Sequence, residues 1–199
     1  MRPIGRIPRA VAAFLKPCVL MTEKPSETTP GGHPITDSEI RALLTALNAQ
    51  RRHVLGILDG LDEEALRRPV LPSGWHCLGL VQHLALDVER FWFRAVVTGD
   101  EEVIRGLTSG DEAWQVGPET RAGDVLDGYR KEAELADAVI SATAAGAAPA
   151  WWPRDLFGEP HLHTLRDVIL HVITETACHA GHLDAARELI DGHRWLVLT

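Results

Sequence analysis

Glu175, His179 and His182 stand at i, i+4 and i+7 in a stretch that otherwise repeats its apolar residues at helical spacing. Residues so spaced share one face of an α-helix. Taking Glu175 as zero on a helical wheel, His179 falls at about +40°, His182 at about −20°, His171 at about −40° and Cys178 at about −60°. A carboxylate and several imidazoles on one stripe make half of a metal site. The other half must come from a second helix, and His83 in Val81-Gln82-His83-Leu84 is the best candidate. The set read from the residues is His83, Glu175 and His179, with His182 beside the metal or as a fourth ligand. Two nitrogens and one carboxylate suit zinc with a position left open. Nickel, iron and manganese remain alternatives, because ligand type only biases the choice.

The flanking positions Leu165, Val168, Val172, Leu183 and Ala186 are apolar, so the polar cluster is expected to be at least partly buried. Buried polar groups need partners, and a divalent cation would satisfy carboxylate and imidazoles together. The bland alternative is that these side chains only hydrogen-bond one another. A di-iron carboxylate site is not expected, since it would need Glu-x-x-His on two helices plus further glutamates, and Glu-x-x-His does not occur. Gly-x-Ser-x-Gly is absent too, and so is a phosphate-binding glycine loop. Cys178 is expected to be a small core residue. His76, His161 and His163 are expected in loops or at helix starts, largely solvated. Trp75 and Trp92 flank the His83 region, while Trp151 and Trp152 belong to a long connection able to cover it.

Four long helices must position this cluster. Thr36-Asp37-Ser38-Glu39 has capping-box spacing, and the apolar pattern after it predicts a first helix over about 37–59, stopping at Gly60. A short helical turn follows at Asp62–Leu66. The second helix is expected over about 77–98, the third over about 121–144, and the fourth over about 165–190 with Thr164 as N-cap and Gly192 at C′. Residues 100–120 read as a long loop, and 146–160 as another with one short extended piece. No alternating strand pattern occurs. The expected fold is all-α, a four-helix bundle with long connections.

The chain has 199 residues, enough for one domain with a real core. A net charge of −8 argues against a nucleic-acid partner. No apolar run approaches a membrane span of about 20 residues. Three widely spaced cysteines, Cys18, Cys77 and Cys178, form neither a disulfide framework nor a CxxC site, which fits a reducing cytoplasm. Residues 1–20 carry Arg2, Arg6, Arg9 and Lys16 and no acid, so they hold +4 and the remainder −8 − 4 = −12. An organelle presequence or a weak secretory signal would have this character. The favoured reading is an upstream misassigned start, with Met21 as the true one. Residues 1–35 are read as a disordered leader, and 36–199 as the domain.

Ser73-Gly74-Trp75, His83-Leu84, Val88-Glu89-Arg90-Phe91-Trp92-Phe93 and Glu175-Thr176-Ala177-Cys178-His179-Ala180-Gly181-His182-Leu183-Asp184, followed by Arg187-Glu188 and Asp191-Gly192, together resemble the DinB-like superfamily of four-helix metal-binding proteins. The resemblance covers about residues 36–193. The branch most similar is an actinobacterial domain of unknown function, related to mycothiol-dependent maleylpyruvate isomerase and to bacillithiol transferases. It implies a metal on His83, Glu175 and His179. It also implies low-molecular-weight thiol chemistry on a small electrophile, as a transferase or an isomerase. Many relatives have His where this chain has Glu175. The isomerase branch has an acid where this chain has His182, which is expected to act as catalytic base or to hold the nucleophile. A non-enzymatic metal-binding stress-response protein, and a structural bundle without metal, are the competing readings. A homodimer is left open.

Overall fold

The computed structural model describes residues 34–107 and 111–195. In chain order they form α1 (Pro34–Leu58), α2 (Glu63–Arg67) and α3 (Cys77–His83), which passes without a break into a π-helix (Leu84–Val97). Then come α4 (Glu101–Gly106), a 3₁₀ turn (Asp111–Trp114), α5 (Ala122–Ala142), α6 (Arg154–Phe157) and α7 (Leu165–Asp191). No strand occurs among the described residues. The all-α expectation holds. Of the leader, residues 1–33 lie outside the described residues, and its last two positions already belong to α1.

That early start displaces the expected cap. Pro34 opens α1, where a locked φ and a missing N–H suit the first turn. Thr36 therefore lies inside the helix. Glu39, expected to close the capping box, instead takes Arg166 of α7 in a two-pronged ion pair (Nη2–Oε2 2.8 Å). The capping signal at the other end of the chain is real. Thr164 Oγ1 accepts from Asp167 N–H (3.2 Å), and Asp167 Oδ2 accepts from Thr164 N–H (2.9 Å). Gly192 ends α7 at φ 81°, a left-handed conformation that favours glycine.

The second long helix is where sequence and structure part most. After His83 the backbone bonds i→i+5, as Thr98 N–H does to Phe93 O at the far end (3.2 Å). Such a turn is wider than the 3.6 residues of an α-helix. Residues four apart then stay on one side. Four adjacent pairs at that spacing are buried, Leu84 and Ala85, Val88 and Glu89, Trp92 and Phe93, Val96 and Val97, and Phe91 and Ala95 are buried beside them. Both elements expected to be plain connections carry structure. Residues 100–120 contain α4 and the 3₁₀ turn, and residues 146–160, expected to hold one short extended piece, hold the helical turn α6.

α1 packs chiefly on α7, and the α3–π helix chiefly on α5, with α7 also against the π-helix and α5 against α1. Leu47, Val54, Leu80, Val88, Ile140, Ile169 and Leu183 are among the fully enclosed side chains between them. One ion-pair network crosses this core. Arg51 of α1 grips Glu89 of the π-helix with two parallel bonds (2.7 and 2.6 Å) and reaches Asp137 of α5 (2.5 Å) and Asn48 (2.8 Å). Arg51 and Glu89 are both buried. Among the described residues no helix is long and apolar enough to cross a membrane.

Candidate functional site

His83 is the last residue of α3, at the junction where the helix widens. It is 2% exposed. Its Nδ1–H donates to Asp87 Oδ2 one turn on (2.8 Å). A carboxylate only accepts, so the bond sets the proton on Nδ1 and leaves the Nε2 lone pair available. On its other side the ring stacks on Trp114 at 4.4 Å and 21°. Two features of α3 hold Trp114 there. Gly79 presents bare backbone, and a Cβ at that position would lie 2.5 Å from the Trp114 carbonyl oxygen. Gln82 Nε2 donates to the neighbouring Ala113 carbonyl (3.1 Å).

α7 supplies the facing groups. The His179 ring meets His83 edge to face at 5.1 Å. Its Nε2 stands 3.7 Å from Glu175 Oε2, too long for a hydrogen bond. Among the described residues its buried Nδ1 has no partner. Burial, with His83 and His182 nearby, pushes the His179 imidazole down to about 3. Burial pushes the Glu175 carboxyl up, opposed by His83. Both groups are thus disfavoured as ions in a dry setting.

By type, two imidazoles and a carboxylate are donors that a divalent ion could use. Two ligand atoms at about 2.1 Å on a tetrahedral ion are about 3.4 Å apart, close to the spacing seen between Glu175 and His179. His83 brings the carboxylate-backed imidazole typical of metal ligands. The three side chains converge without closing into a ready cage. Among the described residues no group of three or more His, Cys, Asp or Glu is set to hold an ion.

The remaining residues singled out in the sequence separate by position. His182 is exposed, 5.6 Å from the His179 ring and 6.4 Å from Trp75, so it stands at the mouth. His171 lies further along the α7 stripe, one turn before Glu175, and meets Trp92 edge-on at 4.6 Å. Cys178 is exposed rather than in the core. It lies at the edge of the polar arc, where α7 turns to solvent. The buried thiol is Cys77, pushed up to about 11 by burial. His76 stands at a helix start, as expected, but it is half-buried rather than solvated. It caps α3, with Nδ1 accepting from Gly79 N–H (3.1 Å), and burial lowers its pKa. His161 packs on Trp152 at 4.9 Å, whereas His163 is exposed as expected. Trp152 stands 6.0 Å from Trp92, and Trp151 packs on Phe91 at 6.3 Å. Asp87 and Trp114 were not read as site residues. Asp87 could have been found as an acid four residues after a candidate ligand, but Trp114 carries no local signal.

No curated protein and no solved structure matches this chain. A family model described as mycothiol S-transferase matches residues 42–192, from within α1 to the glycine that ends α7 and including every candidate ligand. The chain belongs to the mycothiol S-transferase family, a DinB-like family.

Proposed function

We propose that the protein is a metal-dependent S-transferase that joins a mycothiol-type low-molecular-weight thiol to a small electrophile. The observation that carries this reading is the convergence of His83, Glu175 and His179 across α3 and α7 in a chain of this family. These three side chains would hold a divalent ion, zinc being best suited to two imidazoles and one carboxylate. The chemistry such an ion supplies is a lowered thiol pKa, which makes the nucleophile available at neutral pH.

The protein's own groups do the rest. Asp87 fixes the tautomer and orientation of His83. Trp114 covers one side of that ring and excludes water from it. His182 stands one turn past His179 in solvent contact and takes the proton as the thiol S–H bond breaks. The sulfur lone pair forms the new S–C bond. In an addition, the proton ends on the acceptor molecule; in a displacement, it leaves with the departing group.

Protein purified without a histidine tag should contain a stoichiometric divalent metal, lost in His179→Ala together with conjugation of mycothiol to an electrophile. His182→Ala should keep the metal and lose about 100-fold or more in rate. Metal without conjugation of any low-molecular-weight thiol would make the protein a non-catalytic metal binder. Neither metal nor activity would make the cluster structural.

A further inference from the structure

His83 of α3 lies opposite His179, and Trp92 of the π-helix lies opposite His171. The two helices therefore run antiparallel, and the interface is built in layers. The Trp92–His171 layer lies one turn of α7 from Glu175, four residues or about 6 Å along the axis. Its walls are aromatic. Phe157 stacks on Trp92 at 5.7 Å and 19°, Trp152 stands 6.0 Å away, and Phe91 meets Trp92 edge-on at 5.1 Å.

Two buried polar atoms of this layer have no hydrogen-bond partner among the described residues: Trp92 Nε1 and His171 Nε2. Trp92 is 1% exposed. A buried polar nitrogen left unpaired costs about 1–3 kcal/mol, so two in one layer are not what packing alone would select. An indole N–H only donates, hence whatever completes Trp92 must accept.

We propose that this layer seats the electrophile of the transfer reaction: an uncharged, planar molecule bearing a hydrogen-bond-accepting oxygen, such as a conjugated or aromatic carbonyl compound. The word electrophile rests on the transferase reading; the binding site does not. The rings bury the planar body, and Trp92 Nε1 donates to the oxygen. His171 stays neutral beside it, since burial pushes its imidazole down to about 4. The cover is thin. α6 has four residues and no buried side chain, and it hangs from the end of the π-helix through Trp151 N–H to Val96 O (3.1 Å) and from Trp152 Nε1–H to Gly158 O (3.0 Å). A molecule entering beneath it would arrive one turn from Glu175.

Two unreactive probes of similar shape test the site on the full chain without thiol: acetophenone, which has an acceptor oxygen, and isopropylbenzene, which has none. Acetophenone should shift the His171 ring resonances, identified by their loss in His171→Phe. Calorimetry should show it binding about 3- to 10-fold tighter than isopropylbenzene, the range of one neutral hydrogen bond. Trp92→Phe should erase that preference and leave isopropylbenzene binding in place. Unmoved His171 resonances, or equal binding of the two probes by the unaltered protein, would overturn the site and leave the two nitrogens to ordered water. The readings separate cleanly. Probe binding at this layer without conjugation of mycothiol to any aromatic enone sustains the site and ends the transferase reading. Conjugation with kcat and KM for the enone unchanged in Trp92→Phe does the reverse.

Discussion

At the scale of single residues the site depends on a half-buried side chain that is not itself among the candidate ligands. Asp87 holds His83 through one 2.8 Å bond. Without it the imidazole is free to rotate and to exchange tautomers. Asp87→Ala should lower metal affinity about 10- to 100-fold while all three ligands remain, as measured by competition with a chromogenic chelator. His171 allows a pH prediction with a definite sign. Its folded pKa of about 4 lies below the ordinary 6.5, so the unfolded chain takes up a proton that the folded chain refuses. The stabilisation is fully present above about pH 6.5 and is lost as pH falls through the window towards 4, by about 2–3 kcal/mol. Urea unfolding at pH 7 and pH 4.5 should show that loss in the parent protein. His171→Phe should show a pH dependence shallower by that amount, and equal slopes would mean that His171 is not held neutral.

At the scale of elements, Gly79 has the most leverage. A helical glycine replaced by alanine ordinarily stabilises by up to about 1 kcal/mol. Gly128 of α5 is exposed with nothing within 4 Å of a new Cβ, so Gly128→Ala should raise the melting temperature. Gly79→Ala should lower it, by about 1–3 kcal/mol in stability, because its Cβ meets backbone that must lift away. Trp114 then leaves His83, and a crystal structure of the variant should show the stack broken. The elements differ in how far they could be read in advance. α7 was legible at both ends and along its face, since a reciprocal cap, a 3.6-residue apolar repeat and a terminal glycine agree. The helix after His83 was legible as a helix only. A 3.6-residue template picks Leu84, Val88, Trp92 and Ala95 and passes over Ala85, Glu89 and Phe93, which the wider turn also buries. Trp114 escaped because a ring delivered by a connection is positioned by the tertiary contact with Gly79, which no local pattern encodes. That His83, Glu175 and His179 lie side by side could be anticipated because residue type and helical spacing coincide. Which rotamers they adopt is decided across the bundle.

At the scale of the whole molecule, two ion pairs that share the buried Arg51 join three of the four long helices. Removing one partner from such a pair leaves the other charge without water or counter-ion. Glu89→Ala should therefore cost about 3–5 kcal/mol in urea unfolding, far more than loss of the exposed Arg130–Asp127 pair. A cost below about 1 kcal/mol would mean that Asp137 alone can hold Arg51. The layered pairing of rings has an optical consequence. Four of the six tryptophans have an imidazole as ring neighbour: Trp75 with His182, Trp92 with His171, Trp114 with His83 and Trp152 with His161. An excited indole gives up an electron to an adjacent imidazolium, so each protonation in these pairs dims its tryptophan. The molecule is thus its own emission probe, with Trp114 reporting on the ligand layer and Trp92 on the layer one turn deeper, and single Trp→Phe changes would separate the two signals without any attached dye.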